Sequence, residues 1–370
     1  MKIGQLTLPF NWNYGGILQG YALKTTLEQL GHEPVIISRR KNRDSIVIRS
    51  IVLLKWKTMR ALSYLPIFRV LPLVSVETFK RKYIKDFTKD IYTDQALKNV
   101  IDRERFRGYV VGSDQIWNYT AAPQITDAFL SFVTDKSDIK RVSYAASFGR
   151  EQWKYPETET KECKNLVQQF DGVSVREKSG VTLCKDFLGV DANHHLDPTM
   201  LLSKEDYIDI IESSKVAPSN GKLLLYILDA TEERQKIVNA VQKELNLEPY
   251  GIRQFKKIKI LKNALKGIYP SVQQWLKSFY DAEFVVTDSF HGTIFSIIFN
   301  KPFISLGNKE RGMARFESLL SDLGLLSRLV TVSDQVTVEM IRQEIDWDLV
   351  DAKIAKAKDV GIDYLNEKLK

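Results

Sequence analysis

Residues 3–38 read IGQLTLPFNWNYGGILQGYALKTTLEQLGHEPVIIS, and the pattern of this stretch decides the fold. Ile3 to Leu8 is a short apolar run that alternates like a strand, Ile17 to Leu30 carries helical spacing, and Val35 to Ser38 is β-branched again. The order is β-α-β. Outward from it, further strand candidates stand at Gly108 to Gly112, Ala128 to Phe132, Val142 to Ser147 and Gly172 to Val175, most of them separated by helix-length segments. Strands that alternate with helices imply a parallel sheet.

The alternation then starts again. Asn193 to Thr199 brings Pro198 after a short extended run, which predicts a crossing between domains. Beyond it the expected strands are Lys222 to Leu228, Pro249 to Ile252, Phe284 to Thr287 and Phe303 to Leu306, with helices over Thr231 to Leu245, Val272 to Tyr280 and Gly292 to Phe299. A chain of 370 residues exceeds what one ordinary core supports. The expectation is α/β with two facing Rossmann-like domains, 1–195 and 196–335, and a helical tail over 336–370 that packs back on the first domain.

Composition narrows the function classes. Hydrophobic residues make up 44% and charged residues 27%, which fits a folded globular chain rather than a disordered one. Cys163 and Cys184 form no CxxC pair, and the opening Met-Lys-Ile-Gly-Gln-Leu-Thr-Leu lacks a signal peptide's apolar run, so a reducing cytoplasm is expected. The most apolar stretch, Ile46 to Val74, is interrupted by Arg49, Lys55, Lys57, Arg60 and Arg69 and cannot span a bilayer. From Arg39 to Arg107 there are 18 Lys and Arg against 7 Asp and Glu, an excess larger than the whole-chain net charge of +8. This basic helical insert, about 39–107, and the lysines from Lys256 to Lys266 mix cations with apolar residues. That mixture suits a solvated face or peripheral contact with an anionic membrane better than nucleic acid, for which no groove-entering module is present.

Ligands of open parallel sheets bind beyond the carboxyl ends of the strands, so the polar residues after each apolar run are the candidates. After Leu8 come Asn13, Gly15 and Gly16, opening a helix whose amides and dipole favour an anion; a ligand-free tight turn fits the same residues. Asp114 follows Val111 as a base, a hydroxyl-orienting acceptor or a helix cap, and Ser147 follows Ala146. Arg176 leaves Val175 where a guanidinium meets a carboxylate or phosphate, with an ion pair to Glu177 or a neighbouring helix as the alternative. Asp288, Ser289 and His291 follow Thr287, and an imidazole exchanges protons near neutral pH. Arg311 and Arg315, four apart, would share a helical face. His194 and His195 are adjacent on an extended run and so point to opposite sides, which predicts structural roles. GxGxxG, HExxH, a cysteine metal set and GxSxG are all missing, so neither a cofactor nor a metal is expected.

These segments together resemble the polysaccharide pyruvyl transferase family. The resemblance rests on Asn13-Tyr14-Gly15-Gly16-Ile17-Leu18-Gln19-Gly20-Tyr21, Val111-Gly112-Ser113-Asp114-Gln115-Ile116-Trp117-Asn118, Tyr144-Ala145-Ala146-Ser147-Phe148-Gly149, Leu196-Asp197-Pro198-Thr199 and Thr287-Asp288-Ser289-Phe290-His291-Gly292, in family order. It covers roughly residues 3–326 and implies a fold like that of two-domain GT-B glycosyltransferases. It further implies phosphoenolpyruvate as donor, a saccharide acceptor, lipid-linked or nucleotide-linked, and a cyclic pyruvate ketal as product in capsule, exopolysaccharide or wall polymer synthesis. His291 matches the histidine associated with donor binding and catalysis, and Arg176 an arginine that holds the donor. Some members carry Arg-Leu before that histidine where this chain has Ser289-Phe290, so Arg311 or Arg315 is expected to replace the missing cation. A GT-B glycosyltransferase using a nucleotide sugar, or a non-catalytic saccharide or membrane-surface module, would fit the same architecture.

Overall fold

The computed structural model describes residues 1–10, 13–41, 72–133, 138–219, 221–252, 270–307 and 312–370. Residues 42–71 of the basic insert, the lysines of 256–266 and Arg311 lie outside the described residues. Two compact units are formed. The first holds the described residues within Met1–Trp56, Arg81–Leu201 and Ile354–Lys370, the second those within Lys57–Lys80 and Leu202–Lys353.

The first unit is built on β1 (Lys2–Leu6), β2 (Glu33–Ile37), β3 (Gly108–Gly112) and β4 (Lys140–Tyr144), in the order β2-β1-β3-β4 and parallel throughout. Parallel neighbours need a crossover, and α1 (Tyr14–Gln29) supplies the first. In the chain, α2 (Pro72–Phe79) and α3 (Asp94–Glu104) precede β3. After β4, α4 (Glu157–Val167) leads to β5 (Ser174–Val175), and α5 (Lys178–Leu183) leads to β6 (Asn193–His194). β5 and β6 pair with each other, and bridges from Val142 to Gly172 and from Ala146 to Val175 join this pair to the edge of β4. The sheet is covered on both faces, which is why β3 reads as an unbroken run: Tyr109 and Val111 enter one apolar cluster and Val110 the other. The second cluster is completed by Tyr364, Leu365 and Leu369 from the far end of the chain.

Along the second unit come α6 (Lys204–Glu212), β7 (Leu223–Tyr226), α7 (Glu232–Leu245), β8 (Pro249–Gly251), α8 (Val272–Asp281), β9 (Phe284–Thr287), α9 (Phe290–Ile298), β10 (Phe303–Leu306), α10 (Ala314–Leu323), β11 (Leu329–Val330) and α11 (Val338–Arg342). The sheet order is β11-β10-β9-β7-β8, again parallel throughout. The last helix, α12 (Trp347–Lys368), begins in the second unit's range, and its residues from Ile354 onward belong to the first. No described helix is long and apolar enough to cross a membrane.

Two local expectations are corrected. Ala128 to Phe132 is not a strand: Thr126–Phe129 is a 3₁₀ helix, and Leu130 turns at φ +61°. A short apolar run does not distinguish a strand from any other buried segment by periodicity. Here Phe129 stacks on Trp117 at 4.8 Å, and Asp127 pairs with buried Arg39 at 2.6 Å. The strand expected over Val142 to Ser147 stops at Tyr144, because Ala145 takes φ +47° and turns the chain out of the sheet. α10 begins at Ala314, so Arg315 stands in its first turn, while Arg311 lies outside the described residues.

Candidate active site

In the first sheet the chain runs outward to β2 on one side of β1 and to β4 on the other side of β3, so the strand order reverses between β1 and β3. Ligands of such folds bind beyond the carboxyl ends of the two strands at this switch point. Asn13 N-caps α1 without a side-chain cap bond, and no acidic residue occupies the helix's first turn, so its leading amides and positive dipole end face the loops beyond β3. Gly16 has no side chain for a packing reason. A Cβ there would stand 3.1 Å from Asn13 Nδ2 and 3.2 Å from Asp114 Oδ2.

Asp114 sits at the end of β3 with φ +52°, a conformation that side-chain-bearing residues adopt at a cost and that recurs at functional sites. Asn13 Nδ2 donates to its Oδ2 at 3.4 Å, and Arg176 lies 3.6 Å from its Oδ1. Arg176 is 3% exposed and pairs more closely with Asp197, at 2.5 Å. The ion pair considered with Glu177 is thus made with Asp197 and Asp114 instead. Burial works against the Arg176 charge, but the three neighbouring carboxylates hold its pKa above the usual value. Glu177 has another task. Its buried carboxylate accepts from Ser147 Oγ at 3.1 Å and from the amides of Phe148 and Gly149 at 2.8 and 3.1 Å, fixing the loop after β4.

Sequence reasoning missed Gln19, which accepts from the Ser113 amide at 3.1 Å and donates to Thr7 Oγ1 and Gly16 O at 2.8 Å each. It ties the ends of β1 and β3 to α1; a fully buried amide on an apolar helix was the available signal. His194 and His195 do point apart. His194 Nε2 lies 3.0 Å from the Arg176 carbonyl, and His195 is buried, 2.7 Å from Ser174 Oγ and stacked on Tyr144. Burial, with a smaller contribution from His194, lowers the His195 pKa to about 4.

A pocket of about 420 Å³ opens at this switch point. Asn13, Gly16 and Asp114 line it, joined by Arg40, Lys41 and Tyr92, which sequence reasoning did not single out.

The second sheet reverses between β7 and β9, and the candidates stand there too. Asp288 is pinned: its carboxylate accepts from the Leu228 and Asp229 amides at 2.6 and 2.9 Å and pairs with Arg234 at 2.6 Å. Burial raises its pKa against the pull of those partners. Ser289 caps α9, accepting from the Gly292 amide at 3.3 Å. Gly292 leaves room for Thr287, whose hydroxyl donates to Tyr226 O at 2.8 Å. His291, in the first turn of α9, is 6% exposed, its ring edge-on to Phe290 at 5.7 Å. The Arg315 guanidinium lies 5.4 Å over the Phe290 ring, a cation–π geometry. Among the described residues, no three His, Cys, Asp or Glu side chains converge as a metal cage.

Two Rossmann-like units, each carrying its polar residues at the switch point of a parallel sheet, define a fold of the GT-B class. The structure is similar along its whole length to Staphylococcus aureus MnaA in its UDP co-structure (14% identity, TM-score 0.54, covering 100% of this chain and 96% of that one). It is similar also to UDP-GlcNAc 2-epimerases from Neisseria meningitidis, bound to UDP-GlcNAc (10% identity, TM-score 0.52, 100% and 99% covered), and from Rickettsia bellii (12%, 0.51, 99% and 98%). No curated protein matches the chain. The polysaccharide pyruvyl transferase family model matches residues 13–310, and the chain belongs to that family.

Proposed function

We propose that this protein transfers the pyruvyl group of phosphoenolpyruvate to two hydroxyls of a saccharide, forming a ketal in the synthesis of a capsule, exopolysaccharide or wall polymer. Family membership supports transferase chemistry on polysaccharides. The observation that carries the finer reading is the placement of Arg315 over Phe290, the residue before His291. It brings a cation to the turn where some family members carry an arginine in sequence and this chain does not.

In the proposed reaction His291 protonates the methylene carbon of the donor. Positive character develops at the neighbouring carbon, a sugar hydroxyl attacks it and returns a proton to His291, and the carbon–oxygen bond to phosphate then breaks, the departing phosphate taking the proton that the second hydroxyl loses as it closes the ketal. Arg315 is assigned to the donor's anionic groups, while buried Arg176 acts through its hold on Asp114 and the loops around it. Asp114 is assigned to orient the attacking hydroxyl. Asp288, whose oxygens are occupied by backbone amides and Arg234, positions the turn that carries His291. Donor and reaction belong to the cytoplasm, with the acceptor free or presented at the inner face of the membrane.

Incubation of the protein with phosphoenolpyruvate and candidate saccharides should release phosphate and add the mass of a pyruvate ketal to one of them. Release of a nucleoside diphosphate from a nucleotide sugar, with no phosphate from phosphoenolpyruvate, would instead establish a GT-B glycosyltransferase. Saccharide binding without any mass increase would establish a binding module.

A further inference from the structure

The pocket beyond β1 and β3 has walls of opposite charge. Asp114 supplies a carboxylate on one side, while Arg40 and Lys41 supply cations where the chain leaves β2. Arg40 is anchored by Asp90 at 3.0 Å, and Lys41 is exposed. Phe10 and Pro123 contribute apolar surface and Tyr92 an aromatic ring with a hydroxyl.

Phosphoenolpyruvate fits such walls poorly. It is anionic at both ends and has no hydroxyl to donate, so the Asp114 carboxylate repels it at short range. A pocket of about 420 Å³ also falls within the range, roughly 300–1,000 Å³, of ligands larger than this donor. A carboxylate facing cations across an apolar floor matches a ligand with hydroxyls at one end, an anion at the other and a C–H face between.

We propose that this pocket binds the acceptor and selects an anionic saccharide, a sugar carrying a phosphate ester. Its hydroxyls meet Asp114, and its phosphate meets Arg40 and Lys41. The Gly15-Gly16 turn, which the sequence offers as an anion site, has the Asp114 carboxylate against it and is not assigned to this phosphate. This inference rests on the pyruvyl transfer reading, which it supplies with a substrate class.

Direct binding without donor tests it. Glucose, galactose, mannose and N-acetylglucosamine, each as the anomeric phosphate and as the methyl glycoside, are titrated into the full chain by calorimetry. At least one phosphate should bind ten-fold or more tightly than its methyl glycoside. Lys41→Ala, at an exposed position where folding is not at stake, should remove most of that difference and leave phosphoenolpyruvate binding unchanged. Asp114→Asn should weaken sugar phosphates more than inorganic phosphate. Nucleotide-linked and polyprenyl-linked sugars then identify the carrier of the phosphate. Phosphates that bind no better than methyl glycosides, or a Lys41→Ala chain that keeps the preference, overturn the proposal. Ketal formation on a neutral sugar would overturn it while sustaining the transferase reading. Sugar phosphate binding sensitive to Lys41→Ala, with phosphoenolpyruvate never consumed, would do the reverse.

Discussion

The crevice beyond β1 and β3 and its counterpart beyond β7 and β9 occupy the same topological station, yet they are finished in opposite ways. In the first, the leading helix carries no side-chain cap, an aspartate is held in a left-handed conformation, and a pocket opens. In the second, Ser289 caps the helix and Asp288 stitches the loop after β9 to the loop after β7. One station keeps its donors and its strain available for a ligand, while the other uses its polar groups to hold one histidine steady. Equivalent positions in two sheets therefore predict where a site stands, not what it does.

The largest expected effect lies in the second station. His291→Gln should lower kcat for phosphate release by about 10²–10⁴-fold while leaving the urea midpoint in place, as expected for loss of an acid–base group. Near-wild-type turnover would reduce this station to a structural joint. Comparable in size but opposite in kind is Asp197→Ala in the first unit, which leaves the buried Arg176 without its closest partner. Loss of about 3–5 kcal/mol in urea unfolding is expected, and a smaller loss would mean that Asp114 carries the pairing.

Next comes a pH effect. The His195 pKa is about 4 in the fold, against about 6.5 in the unfolded chain. Between these values the unfolded chain binds the proton first, so stability is fully present above about pH 6.5 and falls as pH drops toward 4, by at most roughly 3 kcal/mol. Urea unfolding at pH 5 and 7 should show a smaller difference in His195→Gln than in the parent; an equal difference would place the titration elsewhere.

Asp288→Asn should destabilise the second unit by about 1.5–3 kcal/mol through loss of charge-assisted hydrogen bonds, seen as a lower Tm. An unchanged Tm would show the stitch to be dispensable. The smallest effect on stability is expected where two terms oppose. Asp114→Gly removes the strain of the left-handed backbone but also the carboxylate beside Arg176, so stability should change by no more than about 1 kcal/mol while activity is lost. A larger loss of stability together with activity would break the contrast between the two stations.

The β-α-β order of both units is legible in the sequence because parallel strands buried on both faces read as continuous apolar runs, Tyr-Val-Val in the first and Phe-Val-Val in the second being the clearest. The strand ends are legible for the same reason, since the polar residue after each run must stand at the sheet edge. Partner choice is not. Nothing in local pattern joins Arg176 to Asp197 rather than to Glu177, or sets Arg315 over Phe290, because those contacts are made by segments distant in the chain. The Ala128 to Phe132 segment fails for the converse reason: a tertiary aromatic stack overrides a run with strand-like composition.

Tyr364 donates to the Ser143 carbonyl at 3.0 Å and packs against His195, so the last turns of α12 are part of the first unit's core. During synthesis that core stays incomplete until the ribosome has made the whole second unit, and an early collapsed form must wait with Tyr144 and Val142 partly uncovered. A truncated first domain expressed by itself would inherit that exposed surface permanently. A circular permutant that fuses the α12 segment ahead of Met1 would let the same unit close as soon as it emerges.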